Sequence, residues 1–427
     1  MSNSLPNRFQ KRFNPFMPNS IIQPEIFVGR GDEIYVLENG LFQTQNNNPF
    51  HFLIHGERGI GKSSLLSLIK LTATGKIPSI HGDTFNFLTV TVSLEPSYTF
   101  FDVARDVDYE LRKQVKKSKD IISASAKGFW DFLQNWEALG VKYNKSSDTV
   151  HSPQEIFTQL YENTEKSLDK LSGKIDGILF LFDEVDNVSP AANFGSFCKL
   201  FSERLSQDGH LNVALGLSGI STAIKKLRDS HESSPRIFTH IELKPLDEDD
   251  QKRAVLSCLD RAETVNKLRI NIDDSGLNAI SALSEGYPHF LQQFGYSAFS
   301  ADDDQMINRH DVMSGAFQNG GAFVQLGVKY FHEMYFEQIG SDKYRSVLIM
   351  LAEARVRDPD DLGGWVTRKE ILAEKPELEK TLHNAITALK KRNIISTKDG
   401  KKGVYKIGSR SFAVWIRAMA LQSPDEE

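Results

Sequence analysis

Residues 56–64 have the residue types and the spacing of a phosphate-binding loop. The backbone N–H groups of its glycines can surround an anion, and a helix beginning near Ser63 would direct its positive end at phosphate. Lys62 is predicted to reach the β and γ oxygens of a bound nucleotide, and the Ser63 hydroxyl to bind Mg²⁺. The sequence therefore predicts a site for ATP and Mg²⁺. The loop, which follows the apolar Phe52–Ile54, reads Gly56-Glu57-Arg58-Gly59-Ile60-Gly61-Lys62-Ser63-Ser64.

Two adjacent acids follow a second apolar segment further along the chain. Residues 178–182, Ile-Leu-Phe-Leu-Phe, have the character of a strand covered on both faces of a parallel sheet, and Asp183 and Glu184 follow them. P-loop NTPases use the first acid to orient the Mg²⁺ shell, and the next carboxylate is placed to polarise the attacking water. We predict that Asp183 belongs to the metal shell and that Glu184 is the catalytic base. For Asp186, a helix cap and a further role both stay open.

Composition is that of a globular protein with two or three domains. The chain has 427 residues, of which 40% are hydrophobic and 25% charged, and its net charge is −5. Its apolar runs are too short for a membrane span, and the N-terminal MSNSLPNRFQKRFNPFMPNS lacks the apolar core of a secretory signal. Cys198 and Cys258 lie in helical patterns far apart, which favours a reduced compartment. We expect a cytoplasmic protein without a membrane partner.

Strand and helix patterns alternate over the first half of the chain, which predicts an α/β fold with a doubly wound parallel sheet. The predicted strands are Phe52–Ile54, Phe87–Val92, Ile178–Phe182, Val213–Leu217 and Ile237–Leu243, with helices such as Phe101–Lys117 and Pro153–Leu171 between them. The predicted domains are an N-terminal arm (1–22), an ATPase core (23–244) with an insertion at about 118–152, a purely helical lid and linker (245–340) and a third domain (341–427). The insertion carries Phe129, Trp130, Phe132 and Trp136, for which packing on the core and a binding surface both stay open.

The third domain has the pattern of a winged helix. Its Asp-Gly turn between two short strands predicts a hairpin, and Thr367 can cap the helix that follows it. The predicted elements are the helix Tyr344–Ala354, the turn and strand Gly363–Thr367, the helices Arg368–Ala373 and Leu378–Arg392, and the strands Ile394–Thr397 and Gly403–Ile407 around Asp399 and Gly400.

The segment Phe27-Val28-Gly29-Arg30, followed by Asp32, Glu33 and the P-loop, resembles the opening of AAA+ ATPases of the origin-recognition and initiator type. It is also similar to that of the related STAND signalling ATPases. This resemblance implies a P-loop ATPase core, a helical lid and a C-terminal winged helix, with Phe27, Val28 and Arg30 beside the adenine. It also implies a polar sensor of the γ-phosphate at the end of the fourth strand, where Ser218 lies and Thr222 is a weaker candidate.

The resemblance extends to the lid and to an arginine finger. Gly286-Tyr287-Pro288 matches the Gly-x-Pro element near the nucleotide, but His289 stands where many AAA+ proteins carry an arginine. The lid would then read mainly the base. An arginine finger acting on a neighbouring subunit is expected just before the fifth strand, where Arg236 lies. A plain surface arginine is the alternative, and the lesser finger candidates are Arg204 and Arg228.

The third domain carries a local excess of positive charge. Residues 390–410 contain eight basic residues and one acid, Asp399, whereas Glu377 and Glu379 lie at the start of the presumed recognition helix. This charge favours weakly sequence-specific binding to the backbone of duplex DNA. The alternative is that the wing docks on a protein or acts as an intramolecular latch. Two functions follow: a DNA-associated, oligomeric ATP switch, or a STAND-like regulatory or phage-defence switch whose winged helix contacts protein. The predicted DNA-binding residues are Lys390, Lys391, Arg392, Lys398, Lys401 and Lys402.

Overall fold

The computed structural model describes residues 12–21, 27–118, 153–339, 341–357, 364–392, 394–398 and 400–422. The aromatic residues of the predicted insertion, and also Gly363 and Asp399, lie outside the described residues. The chain divides into two compact units. We call Ile21–Lys244 the core unit, and Met1–Ser20 together with Pro245–Glu427 the C-terminal unit.

A five-stranded parallel sheet forms the centre of the core unit, which confirms the predicted α/β class. Its order is β2-β3-β4-β1-β5. Because all five strands are parallel, the carboxyl ends of β1, β3 and β4 lie at the same edge of the sheet, the edge where α/β proteins bind ligands. The strands are β1 Phe52–His55, β2 Phe87–Ser93, β3 Gly177–Asp183, β4 Val213–Gly219 and β5 Thr239–Glu242.

Helices cover the sheet and bury its apolar side chains. On one face, two rings of β3 make edge-to-face contacts with helix α5, Phe194–Gln207. The Phe180 and Phe201 centroids are 5.2 Å apart, and those of Phe182 and Phe194 are 5.1 Å apart. The predicted strand start at Ile237 is wrong, because Pro235 lies in a 3₁₀ turn, Ser234–Ile237, that delays β5. The helices are α1 Gly31–Gln45, α2 Lys62–Ala73, α3 Phe100–Lys117, α4 Pro153–Leu171, α5 Phe194–Gln207 and α6 Thr222–Ser230.

The first part of the C-terminal unit is mainly helical. The prediction of a purely helical region is wrong in one respect, since two short strands, β6 Asn271–Ile272 and β7 Met306–Ile307, pair in parallel. They join residues far apart in sequence, which helical periodicity does not reveal. The helices are α7 Glu248–Asn266, α8 Asp274–Ser284, α9 Pro288–Ala301, α10 Arg309–Phe317 and α11 Ala322–Leu326, followed by π-helical turns at Gly327–Phe331 and Glu333–Gln338.

Residues 12–20, predicted as part of an arm, pack on α7 and α9 of the same unit. The Arg12 guanidinium forms a 2.7 Å ion pair with Asp302 and donates to the Phe299 carbonyl at 2.6 Å. The Phe16 ring is buried, and its edge lies where a side chain at Gly295 would stand. This segment is therefore an integral part of the C-terminal unit.

The last part of the chain combines helices with a small antiparallel sheet of order β8-β10-β9. The predicted cap is confirmed, because Thr367 and Glu370 form a capping box. The prediction of a single helix that begins at Leu378 is wrong, since Pro376–Leu378 is a 3₁₀ turn. None of the described helices is long and apolar enough to cross a membrane. The elements are α12 Asp342–Arg357, β8 Val366–Thr367, α13 Arg368–Glu374, α14 Leu382–Lys391, β9 Ile395–Thr397, β10 Val404–Ile407 and α15 Arg410–Gln422.

Candidate nucleotide-binding site

The predicted phosphate-binding loop connects β1 to α2 at the carboxyl edge of the sheet. Gly59 and Gly61 have φ angles of +78° and +100°, a region that a residue with a Cβ rarely adopts. The Lys62 Nζ donates to the carbonyl oxygens of Gly56 and Glu57 at 3.1 and 2.8 Å. The lysine therefore spans the loop, while Ser63 is exposed beside it in the first turn of α2.

Three carboxylates lie close enough to Lys62 to affect its titration. Burial lowers the pKa of the Lys62 ammonium, and the negative charges of Asp186, Asp183 and Glu184 oppose that shift. These acids come from the end of β3, so the fold brings together the two halves of the site that the sequence separates. A P-loop site requires a lysine for the phosphates and carboxylates nearby for the metal, and both are present at this edge of the sheet.

Glu184 has an uncommon backbone conformation at the end of β3. Its φ angle is +58°, and non-glycine residues in this region often mark functional sites. The Glu184 N–H donates to Asp183 Oδ1 at 2.9 Å, and Asn187 Nδ2 donates to Glu184 Oε2 at 3.1 Å. The sequence analysis did not single out Asn187, although an amide three residues after the predicted base could have indicated a hydrogen-bond partner for it.

Asp186 holds the end of β4 in place. Its Oδ1 accepts a 2.9 Å hydrogen bond from the Ile220 N–H, and its carbonyl accepts one from Lys226 Nζ. It does not cap the helical turn that follows, because that turn begins at Pro190 after Ser189. Of the two options left open by the sequence, the helix cap is therefore wrong.

The predicted sensor, Ser218, is fully buried in β4. Its Oγ has no hydrogen-bond partner among the residues that the structure describes. Ser218 pairs in register with Ile54 of β1, two residues before the P-loop, and its carbonyl accepts the Val185 N–H at 3.0 Å. Thr222, the weaker candidate, is exposed at the start of α6. This buried hydroxyl lies on β4, between β1 and β3, and it is available to donate a hydrogen bond at the carboxyl edge of the sheet.

Arg30 is only 6% exposed. Its Nη2 donates to the carbonyl oxygens of Lys244 at 2.6 Å and Ile60 at 3.3 Å, and its Nη1 lies 3.4 Å from Glu33 Oε1. The guanidinium thus ties the P-loop to the last residue of the core unit. Phe27 and Val28 are partly exposed beside it. Contact of Phe27, Val28 and Arg30 with the base stays a prediction.

Comparison with solved structures identifies the fold. The Walker-type ATPase PABY2304 of Pyrococcus abyssi matches with a TM-score of 0.54 and 18% identity, over 92% of this chain and 97% of that one. The Aeropyrum pernix ORC2 protein, in its ADPNP and ADP complexes, matches with a TM-score of 0.56 and 12% identity, over 97% and 99%. The chain therefore shares the fold of these two proteins, which agrees with the predicted AAA+ class of fold. No family model and no curated protein matches the sequence.

The predicted lid element lies at the start of α9. Gly286 has a φ angle of +78°, Tyr287 is the N-cap, and Pro288 is the first helical residue. Burial, assisted by the charge of Lys329, lowers the pKa of His289 to about 4, and its Nε2 is buried without a partner among the described residues. His289 is therefore neutral at neutral pH and offers no positive charge to a phosphate.

The three finger candidates differ in their surroundings. Arg236 is exposed in the 3₁₀ turn before β5, and its side chain makes no polar contact with any residue that the structure describes. Arg204 lies over the Tyr161 ring at 3.9 Å, and Tyr161 in turn donates to Asp208. Arg228 is exposed on α6. Because Arg204 is already engaged, Arg236 and Arg228 are the better placed of the three.

The predicted DNA-binding residues form two exposed groups. Lys390, Lys391 and Arg392 end α14, and Lys398, Lys401 and Lys402 lie in the β9–β10 hairpin; all are exposed. Trp365, which sequence reasoning missed, lies under the hairpin, with the Lys398 and Lys406 Nζ atoms 5.5 and 5.0 Å from its ring centroid. Arg392 donates to the Ala388 carbonyl, at the C-terminal end of its own helix, at 3.1 Å.

A metal site would have to be shared with the nucleotide. The described residues contain no cluster of three His, Cys, Asp or Glu side chains that could hold an ion. Mg²⁺ at nucleotide sites typically takes one or two protein oxygens, with phosphates and water completing the shell. The exposed hydroxyl of Ser63 and the partly buried carboxylate of Asp183 fit this donor set.

Proposed function

We propose that this protein binds and hydrolyses ATP with Mg²⁺ and acts as a switch that couples its nucleotide state to DNA association. The observation that carries the proposal is the position of Lys62 at the carboxyl edge of a parallel sheet. It lies close enough to Asp183, Glu184 and Asp186 for their negative charges to raise the pKa of its ammonium group. The similar Aeropyrum pernix ORC2 structure is described in ADPNP and ADP complexes, and the Pyrococcus abyssi protein as a Walker-type ATPase. Both descriptions support ATP as the ligand.

The proposed chemistry uses groups already in place. On nucleotide binding, Lys62 exchanges its carbonyl contacts for phosphate oxygens and neutralises part of their charge. Ser63 and Asp183 would hold Mg²⁺, which when bound supplies further charge neutralisation on the phosphates. Glu184 accepts a proton from the attacking water after its carboxylate leaves Asn187. Ser218 then donates its unused hydroxyl hydrogen to the charge developing on the γ-phosphate.

We infer that residues 341–427 form a winged helix that binds duplex DNA mainly through phosphates. Support comes from the element order α12, β8, α13, α14, β9 and β10, which ends in a hairpin, and from the exposed lysines on it. Each lysine that neutralises a phosphate releases counterions, so binding should weaken steeply with salt.

The first test is ATP turnover by the purified protein with and without long duplex DNA. The Glu184→Gln variant provides the blank, and Lys62→Ala should lose nearly all nucleotide binding. Stimulation of wild-type turnover by DNA is the expected result. Retained tight ATP binding in Lys62→Ala would contradict the assignment of the P-loop.

A second test concerns the hairpin. Lys401→Glu combined with Lys402→Glu should weaken duplex binding and reduce its salt dependence, as measured by fluorescence anisotropy over a series of salt concentrations. The matched control is Lys76→Glu with Lys225→Glu, which reverses two exposed charges on the core unit. Equal binding by the hairpin variant and the wild type would exclude the hairpin as the DNA contact.

A STAND-like regulatory or defence switch is the second candidate. Glu377 and Glu379 are exposed immediately before α14, where their charge would repel phosphates, and this favours a protein ligand for the C-terminal domain. Such a switch should hydrolyse ATP slowly, at a rate that DNA does not change. It should also assemble with ATP when Glu184→Gln blocks hydrolysis, with Arg236 acting across subunits. A monomer under those conditions at every concentration would count against it.

A further inference from the structure

Four helices of the C-terminal unit line a groove that the nucleotide site does not use. Helices α8, α10, α12 and α15 surround a volume of about 620 Å³. Arg309, Met313 and Phe317 line it from α10, and Arg410, Val414 and Arg417 from α15. These residues recur at three- and four-residue spacing, so each helix presents one continuous stripe. With 1.5 Å per residue, the α10 stripe is about 12 Å long, or roughly two turns of a bound helix.

The groove is positively charged and has no acid of its own. Its lining from the described residues includes three arginines and no aspartate or glutamate. The Arg309 and Arg417 side chains make no hydrogen bond or ion pair within the part of the chain that the structure describes. Arg417 is partly buried, and withdrawing a cation from water without a partner is unfavourable. Carboxylates and phosphates are the anions that would satisfy both guanidinium groups.

The floor of the same groove is apolar. The Phe317 side chain is 47% exposed, although its ring packs against Phe323 with centroids 4.8 Å apart. Met313 lies one turn before it and Val414 lies in the facing stripe. Methionine and exposed aromatic rings adapt to apolar side chains of a partner, whereas phosphate contacts need no apolar floor.

We propose that this groove binds an amphipathic, acidic helix of a partner protein. Apolar side chains at positions i, i+3 or i+4, and i+7 of that helix would cover Met313, Phe317 and Val414, and its carboxylates would pair with Arg309 and Arg417. A duplex is the weaker fit, because most of the lining is apolar. The inference goes beyond ATP hydrolysis and DNA association and does not depend on either.

The test is a selection of peptides from a random display library against the full-length protein. Enriched sequences should be acidic and amphipathic with helical spacing, and the synthetic peptide should bind in an anisotropy titration. Arg309→Glu with Arg417→Glu should weaken binding about tenfold or more, and Phe317→Ser should weaken it without a charge change. The control is Arg253→Glu with Arg269→Glu, which are 65% and 70% exposed outside the groove. Circular dichroism of each variant verifies its fold.

Four outcomes would overturn the proposal. Enrichment of basic or neutral peptides, or binding unaffected by the two charge reversals, would exclude an acidic helix at this groove. If binding of a labelled duplex requires Arg309 and Arg417, and no peptide binding does, the surface would be assigned to nucleic acid. Peptide binding that appears only after removal of residues 423–427, which contain three acids, would assign it to the chain's own end.

Discussion

Replacing Ser218 with alanine should stabilise the core unit and at the same time slow ATP hydrolysis. The side chain is fully buried, and its hydroxyl has no partner among the described residues. A buried hydroxyl without a hydrogen bond costs about 1–3 kcal/mol, while the void left by one oxygen should cost less than about 1 kcal/mol. The free energy of unfolding should therefore rise by about 1 kcal/mol, which corresponds to roughly 2–4 °C in Tm for a unit of this size.

The loss of activity has a different physical origin. In the proposed mechanism the Ser218 hydroxyl donates to charge that develops on the γ-phosphate, and loss of one such preorganised donor slows chemistry about 100-fold or more. Single-turnover hydrolysis of ATP measures this step, and a nucleotide titration should show little change in affinity. Thermal denaturation of the nucleotide-free protein measures the gain in stability.

Thr91→Val is the matched control for this prediction. Thr91 Oγ1 is also buried without a partner in the described chain, but it lies on β2, which β3 separates from β4. Its replacement should raise the free energy of unfolding without slowing hydrolysis. The sensor assignment fails if Ser218→Ala hydrolyses ATP at the wild-type rate. A destabilisation of more than about 1 kcal/mol would show that the hydroxyl is satisfied after all.

The other predictions concern buried contacts in both units. Arg30→Met removes the buried guanidinium contacts with backbone carbonyls and should lower the free energy of unfolding by about 2–4 kcal/mol. It should also weaken ATP binding, and unchanged binding would contradict a role for Arg30 at the site. A parallel titration with tripolyphosphate separates two causes, since loss of P-loop order weakens both ligands and loss of the predicted base contact weakens ATP alone. Burial raises the pKa of Glu285 above its ordinary 4.5, so the folded state holds this proton more tightly, and its contribution to stability should fall as the pH rises from 4.5 through the raised pKa. The wild-type and Glu285→Gln denaturation curves, compared at several pH values, should show that difference, and a contribution that grows over this window would refute it. Gly286→Ala should cost at least about 1–3 kcal/mol, because φ is +78° and a Cβ would stand 2.4 Å from the Leu246 carbonyl oxygen; Gly400→Ala, at φ +71° with open space around it, separates the clash from the backbone strain in thermal denaturation.

The residues at the carboxyl edge of the sheet were predictable because their sequence signals are contiguous. The P-loop consists of neighbouring residues, so its glycines and its lysine alone predict phosphate binding. The continuous apolar run before Asp183 predicts a buried strand. The parallel sheet followed from the alternation of short apolar runs with helical periods. Element boundaries were less certain, as the 3₁₀ turn before β5 demonstrates, because a proline at a turn and one at a strand edge have similar local sequences.

By itself, the sequence determined the class of the fold, the phosphate-binding loop and the acids expected to face it. Only the tertiary structure decided that Arg30 holds the Lys244 carbonyl, that Phe16 packs on α9, and that Arg309 and Arg417 line one groove. The physical reason is the range of the interactions. Backbone propensity and apolar periodicity act over a few neighbouring residues, whereas side-chain partners far apart in the chain meet only after packing has selected one arrangement.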